Sequence, residues 1–141
     1  MEQEKDKKCV IVIDADLPSG VIANTAAILG ITLGKRRPEL VGEDAIDASG
    51  MQHLGIISIP VPILKGNKEV LRKLRQQLYS KDYEDVVVVD FSDVAKGCNV
   101  YDEYIEKTLK TPESKHTYYG LGICGYKKKV NKLTGSMALL R

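Results

Sequence analysis

Two unbroken apolar runs constrain this chain more than any other feature: Val10 to Ile13 and Val86 to Val89 each end on an aspartate, Asp14 and Asp90. Short runs without polar alternation suit strands covered on both faces, as in a sheet with helix layers above and below. Each run is followed by an acidic turn and then by a helical pattern. Both strands are therefore expected to lie side by side, point the same way and bring Asp14, Asp16, Asp90, Ser92 and Asp93 to one carboxyl edge, where open α/β sheets bind ligands.

The first run belongs to a longer stretch, CVIVIDADLPSGVIANTAAILGITLG, from Cys9 to Gly34. Asp16, Pro18, Ser19 and Gly20 turn the chain, with Ser19 the expected N-cap of a helix and Pro18 just ahead of it. The free amides near Gly20, Val21 and Ile22 would then face the strand's end, where they favour an anion. The alternative is structural, with Asp14 and Asp16 capping those amides. Ile22, Ala26, Leu29 and Leu33 form one stripe, and Ala23, Ala27, Ile28 and Ile31 fill the other sides, so this is a core helix.

The remaining elements follow from punctuation and periodicity. Residues 35 to 56 are irregular, with Ala48-Ser49-Gly50 a hairpin turn between two very short strands and His53 an exposed loop histidine. A connection of this length is functional or loosely ordered, and closure of the carboxyl-edge pocket by residues 43 to 53 is one role for it. Residues 57 to 64 alternate as a strand, and Pro60 and Pro62, two apart, remove donors along one side, which marks an edge. Asn67 caps a helix with Val70, Leu71, Leu74 and Leu78 inward and Lys68, Lys73, Arg75 and Gln76 outward. A further helix from Asn99 to about Lys110 turns Val100, Tyr104, Ile105 and Leu109 inward, and Pro112 stops it. The last strand, residues 117 to 125, has a glycine side, Gly120 and Gly122, that admits close packing. A short basic helix from Tyr126 to Thr134 ends at Gly135, and Leu139 and Leu140 anchor the C-terminus.

At 141 residues the chain is read as one domain, residues 1–141, with 1–7 flexible; this length buries about two thirds of the unfolded surface. The balance of 21 basic against 19 acidic residues argues against a general nucleic-acid-binding character. Lys35-Arg36-Arg37 reads as a solvated face, and so does Lys127-Lys128-Lys129 with Lys132, which is also where an RNA or nucleotide ligand would find positive charge. Cys9, Cys98 and Cys124 have no metal-type spacing and read as buried thiols of a reducing compartment. No run is long enough to span a membrane, and the expected location is the cytosol.

Three motifs carry resemblances. Gly120-Leu-Gly122-Ile-Cys-Gly125 has the letters of a dinucleotide fingerprint without the following helix and distant acid that the fingerprint needs. VIVIDAD resembles the first motif of haloacid-dehalogenase-like phosphatases, which implies an aspartate nucleophile, an aspartate acid/base and magnesium held with VVVVDFSD; Pro18 stands where that motif has threonine or valine. The widest resemblance covers nearly the whole chain. KCVIVIDADLPSGVIANTAAILGITLG, RPELVGEDAIDASG, GIISIPVPILKG, VVVVDFSDVAKGC, YDEYIEK and VNKLTGSMALLR together resemble the domain-of-unknown-function two-thousand family, which is similar in fold to type II peptidyl-tRNA hydrolases.

That resemblance implies a three-layer α/β/α domain with a small mixed sheet. The hydrolase's acidic-leucine turn and glycine are matched by Asp16, Leu17 and Gly20, and its later aspartate by Asp90. Its lysine, glutamine, histidine and threonine positions hold Val21, Thr25, Ile28 and Val94 instead, so the group expected to hold phosphate or order water is missing.

The expected site is an acidic pocket with Asp16, Asp90 and Asp93 as catalytic candidates and Asp14, Ser19, Gly20, Asn24 and Ser92 as ligand-binding ones. No metal ligand set is identified, and the cofactor is left open. Three functional readings follow: a binding protein or hydrolase for a small molecule, nucleotide or RNA end; a non-catalytic homodimeric binding module; and a magnesium-dependent aspartate phosphatase.

Overall fold

The computed structural model describes residues 6–141. The flexible segment expected at 1–7 lies largely outside the described residues, and Lys7 already belongs to a strand. In chain order the elements are β1 (Lys7–Asp14), α1 (Ser19–Arg36), β2 (Ala45–Ile46), β3 (Gln52–His53), β4 (Ile63–Gly66), α2 (Lys68–Leu78), β5 (Val87–Ser92), α3 (Tyr101–Leu109), β6 (Tyr118–Tyr126) and α4 (Lys127–Thr134). The main sheet has the order β4-β1-β6-β5, with β1 parallel to β4 and β6 antiparallel to both β1 and β5.

The two aspartate-ending strands therefore point the same way, but they are not neighbours. The late strand β6 lies between them, pairing Ile13 of β1 and Phe91 of β5 with the same residue, Gly120. The side-by-side arrangement expected from the apolar runs is corrected by this insertion. Parallel neighbours give no benefit that an antiparallel strand between them does not also supply, because β6 completes the backbone ladders of both.

Alternation along the strands splits the core into two. Val10, Val12, Leu121 and Ile123 face α2 and α4, where Leu71, Leu74, Leu78 and Val130 cover them. Cys9, Ile11, Ile13 and Cys124 face α1, which packs Leu29 and Leu33 against them, beside Leu40, Ile57, Ile59 and Val61 of the long connection. The result is a mixed α/β domain in three layers.

The expected glycine side of β6 faces α1. A Cβ on Gly120 would stand 2.9 Å from Thr25 Cγ2 and 3.0 Å from the Val12 carbonyl oxygen, and one on Gly122 would stand 3.0 Å from Leu33 Cδ1. The helix rests directly on the strand backbone.

Several boundaries differ from the sequence reading for identifiable reasons. Pro18 occupies the N-cap of α1 and Ser19 the first helical position, with no side-chain cap. The strand expected over 57–64 begins only at Ile63, since Pro60 and Pro62 leave the preceding segment few donors; its single ladder contribution there is Ile11 N–H donating to the Pro62 carbonyl at 3.1 Å. The free edge of β4 is closed by the C-terminus, Lys65 N–H donating to the Ala138 carbonyl and Leu140 N–H to the Ile63 carbonyl. Of the two leucines expected to anchor the C-terminus, Leu140 packs against the α1-side core while Leu139 is exposed, so the backbone pairing supplies the rest of the hold.

Helix α3 begins at Tyr101, and Val100, Ile105 and Leu109 are exposed rather than inward. The expected hairpin forms as β2 and β3 around Gly50 at φ 83°. Its base is tied by Gly42 N–H to the Ile56 carbonyl and Ser58 N–H to the Leu40 carbonyl, past the C-terminal end of α1. The loop thus roots at the amino edge of β1 and does not close over the carboxyl edge.

Packing without side chains along β6 gives a paired expectation. Gly120→Ala should lower the unfolding free energy by about 1–3 kcal/mol through overpacking, whereas Gly30→Ala, whose Cβ meets nothing within 4 Å, should raise it by about 0.5–1 kcal/mol. Urea midpoints at constant slope measure both, and equal effects would contradict the close approach.

Candidate functional site

The carboxyl edge is built from the ends of β1, β4 and β5 and the start of β6. At the end of β1, alternation turns Asp14 to the α2 side. It is 1% exposed. Its Oδ1 accepts from Asp16 N–H at 3.0 Å, while Leu17 N–H donates to its carbonyl and Ala15 N–H to that of Gly66. Asp14 therefore holds its own turn and not the first turn of α1. Asp16, Ser19, Gly20 and Asn24 are exposed beside it.

At the end of β5, Asp90 and Ser92 also face the α2 side, and there the chain assembles a polar network. Arg75 Nε donates to Asp90 Oδ2 at 2.9 Å, with both side chains mostly buried. Ser92 is 3% exposed, and its Oγ lies 3.1 Å from His116 Nδ1 while accepting from Val94 N–H. His116 stacks on Tyr118, whose hydroxyl donates to Glu113 Oε2 at 2.7 Å. Arg72 pairs with Glu113 and donates to the His116 carbonyl. Asp93 is exposed and splices the strand ends, its Oδ1 accepting from Thr117 N–H at 2.9 Å.

Beyond the edge of β5 lies a cleft of about 390 Å³ between that strand, α1 and α3, lined in part by Asp90, Phe91, Asn99, Tyr101 and Tyr104. Tyr101 and Tyr104 make a tilted pair with centroids 5.3 Å apart. Burial, with the negative charge of Asp90, pushes the Tyr104 phenol upward. Tyr118 is pushed up by burial and by the hydrogen bond to Glu113, and Tyr119 by burial and Asp93.

The family model described as Protein of unknown function (DUF2000) matches residues 7–141. The chain belongs to the DUF2000 family. It is also similar to the solved structure of a protein of unknown function, Atu0240, from Agrobacterium tumefaciens str. C58, with a TM-score of 0.85 at 19% identity over 95% of this chain and 97% of that one. That likeness shows the fold. The search of curated proteins gave no match.

Within this DUF2000 chain the sequence-nominated residues form two groups with Tyr118 to Gly120 between them. Asp14, Asp16, Ser19, Gly20 and Asn24 belong to the β1–α1 junction, and Asp90, Ser92 and Asp93 to the end of β5. Asp90 lines the cleft; the other seven do not. Among the described residues no group of three His, Cys, Asp or Glu side chains is arranged to hold a metal ion.

Sequence reasoning missed Arg72, Arg75, Glu113, His116 and Tyr104. Arg75 was placed outward with Lys73 and Gln76, whereas it turns in beside Leu71, Leu74 and Leu78 to reach Asp90. The signal available was an arginine next to a buried stripe, since its long stem can cover apolar surface while its fork finds a carboxylate. The basic run behaves differently: Lys129 donates to Asp85 Oδ1 at 2.8 Å and to the Asp82 carbonyl, which holds the Asp85 carboxyl below its usual range.

A double-mutant cycle on Arg75→Met and Asp90→Asn should return a coupling of about 1–3 kcal/mol in unfolding free energy. A coupling near zero would mean that the pair is not formed in solution. The tyrosines supply a second check. Phenols whose native pKa lies above the ordinary 10.0 contribute stability fully present below that pH and lost as pH rises beyond it, because the folded chain then holds more protons than the unfolded one. Spectrophotometric titration should show Tyr104, Tyr118 and Tyr119 ionising late in the native protein and with the rest after denaturation.

Proposed function

We propose that this protein binds a small planar ligand of the nucleobase or nucleoside class in the cleft at the outer edge of β5. The observation that carries the reading is the composition of that wall. It combines a carboxylate, Asp90, a side-chain amide, Asn99, and the rings of Tyr101 and Tyr104 around about 390 Å³. Ligand pockets typically have this make-up, an apolar or aromatic lining with a few fixed polar groups that set orientation.

Asp90 suits the role of a positioned acceptor. Arg75 engages Oδ2, so the carboxylate's direction is set before a ligand arrives, and Oδ1 can accept from a ring N–H or exocyclic amine. Asn99 offers both a donor and an acceptor. The tyrosine rings give stacking area at a small cost in conformational entropy. The resemblance to type II peptidyl-tRNA hydrolases supports a nucleotide-related ligand, while Val21, Thr25 and Ile28 at the hydrolase's lysine, glutamine and histidine positions favour binding over that hydrolysis.

A hydrolytic role for Asp16 and Asp93 draws support from their exposure at the same edge. The phosphatase reading has less behind it, since the Asp14 carboxylate is enclosed and already accepts from its own turn.

The test is amide chemical-shift mapping with purine and pyrimidine nucleosides. Saturable shifts confined to Val89–Phe91 and Asn99–Tyr104 are expected, with Asp90→Asn and Tyr104→Ala each weakening binding about tenfold or more. Shifts located elsewhere, or none at millimolar ligand, would overturn the reading.

A further inference from the structure

A second cavity lies at the opposite edge of the sheet and is independent of the cleft beside β5. It measures about 180 Å³ and is lined by Cys9, Leu33, Leu40, Ile57 and Val61, with Arg37 in the wall. It forms where the C-terminal half of α1 meets the long connection. Gly30 and Gly34 present no side chain there, and the flanks of the β2–β3 hairpin supply the remaining cover.

Two observations make this more than a packing defect. An apolar void in a well-packed core is costly, because its lining loses dispersion contacts. Arg37 adds a second cost. Its Nε is buried without a hydrogen-bond partner, and among the described residues no carboxylate lies within ion-pair distance of its guanidinium. An unpaired donor on a cation in such surroundings is stabilised by an anion. Glu39, two residues on, is exposed and does not pair with it.

Of the two neighbouring thiols only Cys9 lines the floor. Cys9 and Cys124 face each other across β1 and β6, buried at 1% and 0% exposure. The hydrogen bond between them, reinforced by burial, pushes the Cys9 thiol up, and the same bond, with the charge of Arg37, draws the Cys124 thiol down. The buried Nε of Arg37 is the donor left for something that enters the cavity.

We propose that this cavity is a binding site for a small monocarboxylate, with the acid's apolar body against Cys9, Leu33 and Ile57 and its carboxylate on Arg37. The size fits, since an engineered apolar cavity of about 150 Å³ accommodates benzene. One arginine in an otherwise apolar wall matches one carboxylate. A phosphate ester, with more oxygens to satisfy, finds too few donors.

Hexanoate and benzoate, with hexanol and benzyl alcohol as neutral counterparts, are the probes. Calorimetry and amide shift mapping should show the acids binding at least tenfold more tightly than the alcohols, with shifts at Cys9, Leu33, Leu40 and Ile57. Arg37→Gln should remove that preference and leave the alcohols unaffected. Gly34→Leu, at a lining position whose added Cβ meets nothing within 4 Å, should fill the cavity and abolish binding of both without loss of thermal stability. Equal affinity for acids and alcohols would overturn the proposal, as would an Arg37→Gln variant that keeps the acid preference, or no binding of any probe at millimolar concentration.

Discussion

The architecture depends on how near α1 can come to β6. Gly120 and Gly122 leave the strand bare on the side that Thr25, Leu29 and Leu33 occupy, so the helix contacts backbone where a normal sheet would present a layer of side chains. This close seat lets one helix reach β1, β6 and β5 at once. Because α1 sits low over the middle of the sheet, its two ends are fixed relative to opposite edges, the first turn at the carboxyl ends of the strands and Arg37 at the amino end of β1. Both cavities follow from that placement, each opening where α1 passes beyond what it can cover.

The layers and most strands were legible because they depend on local pattern. Two aspartate-ending runs gave strands of one direction, although only β1 is buried and interior while β5 is a half-buried edge strand. Asn67 marked the start of α2 through a side chain that accepts from Val70 N–H, and the glycine alternation of β6 announced the close approach of a helix. What stayed hidden was strand order. Nothing in the residues of β1 or β5 says which neighbour each takes, and a strand arriving more than a hundred residues after β1 decides it. The family likeness, by contrast, needed only the order of motifs along the chain.

The candidate site was half legible for the same reason. Aspartates after apolar runs can be found in sequence, but what each does is fixed by its face and its partner. Alternation turns Asp14 and Asp90 to the same side of the sheet, yet one is enclosed within its own turn while the other meets Arg75 and opens onto a cleft. The difference comes from position in the strand order. β1 is internal and its carboxylate is covered, whereas β5 is an edge strand with solvent and α3 beyond it. α3 itself shows the limit of helical periodicity, since Val100, Ile105 and Leu109 repeat like a core stripe and yet remain exposed.

Arginine is the residue type whose role the pattern misplaced twice, and both errors have one cause. Arg37 sits in a basic triplet and Arg75 falls among the polar positions Lys73 and Gln76 of its helix, so charge assigned each of them to solvent. A guanidinium is weakly hydrated, carries a long apolar stem and presents a rigid fork, so it can lie against a core at a cost that a lysine ammonium would not bear. The fork must then be matched. Arg75 finds Asp90 within the fold, and the pair orders the wall of the cleft. Arg37, at the end of the same helix that shapes both cavities, has its Nε unmatched by the protein, and that asymmetry between two similarly placed cations distinguishes a structural arginine from one available to a ligand.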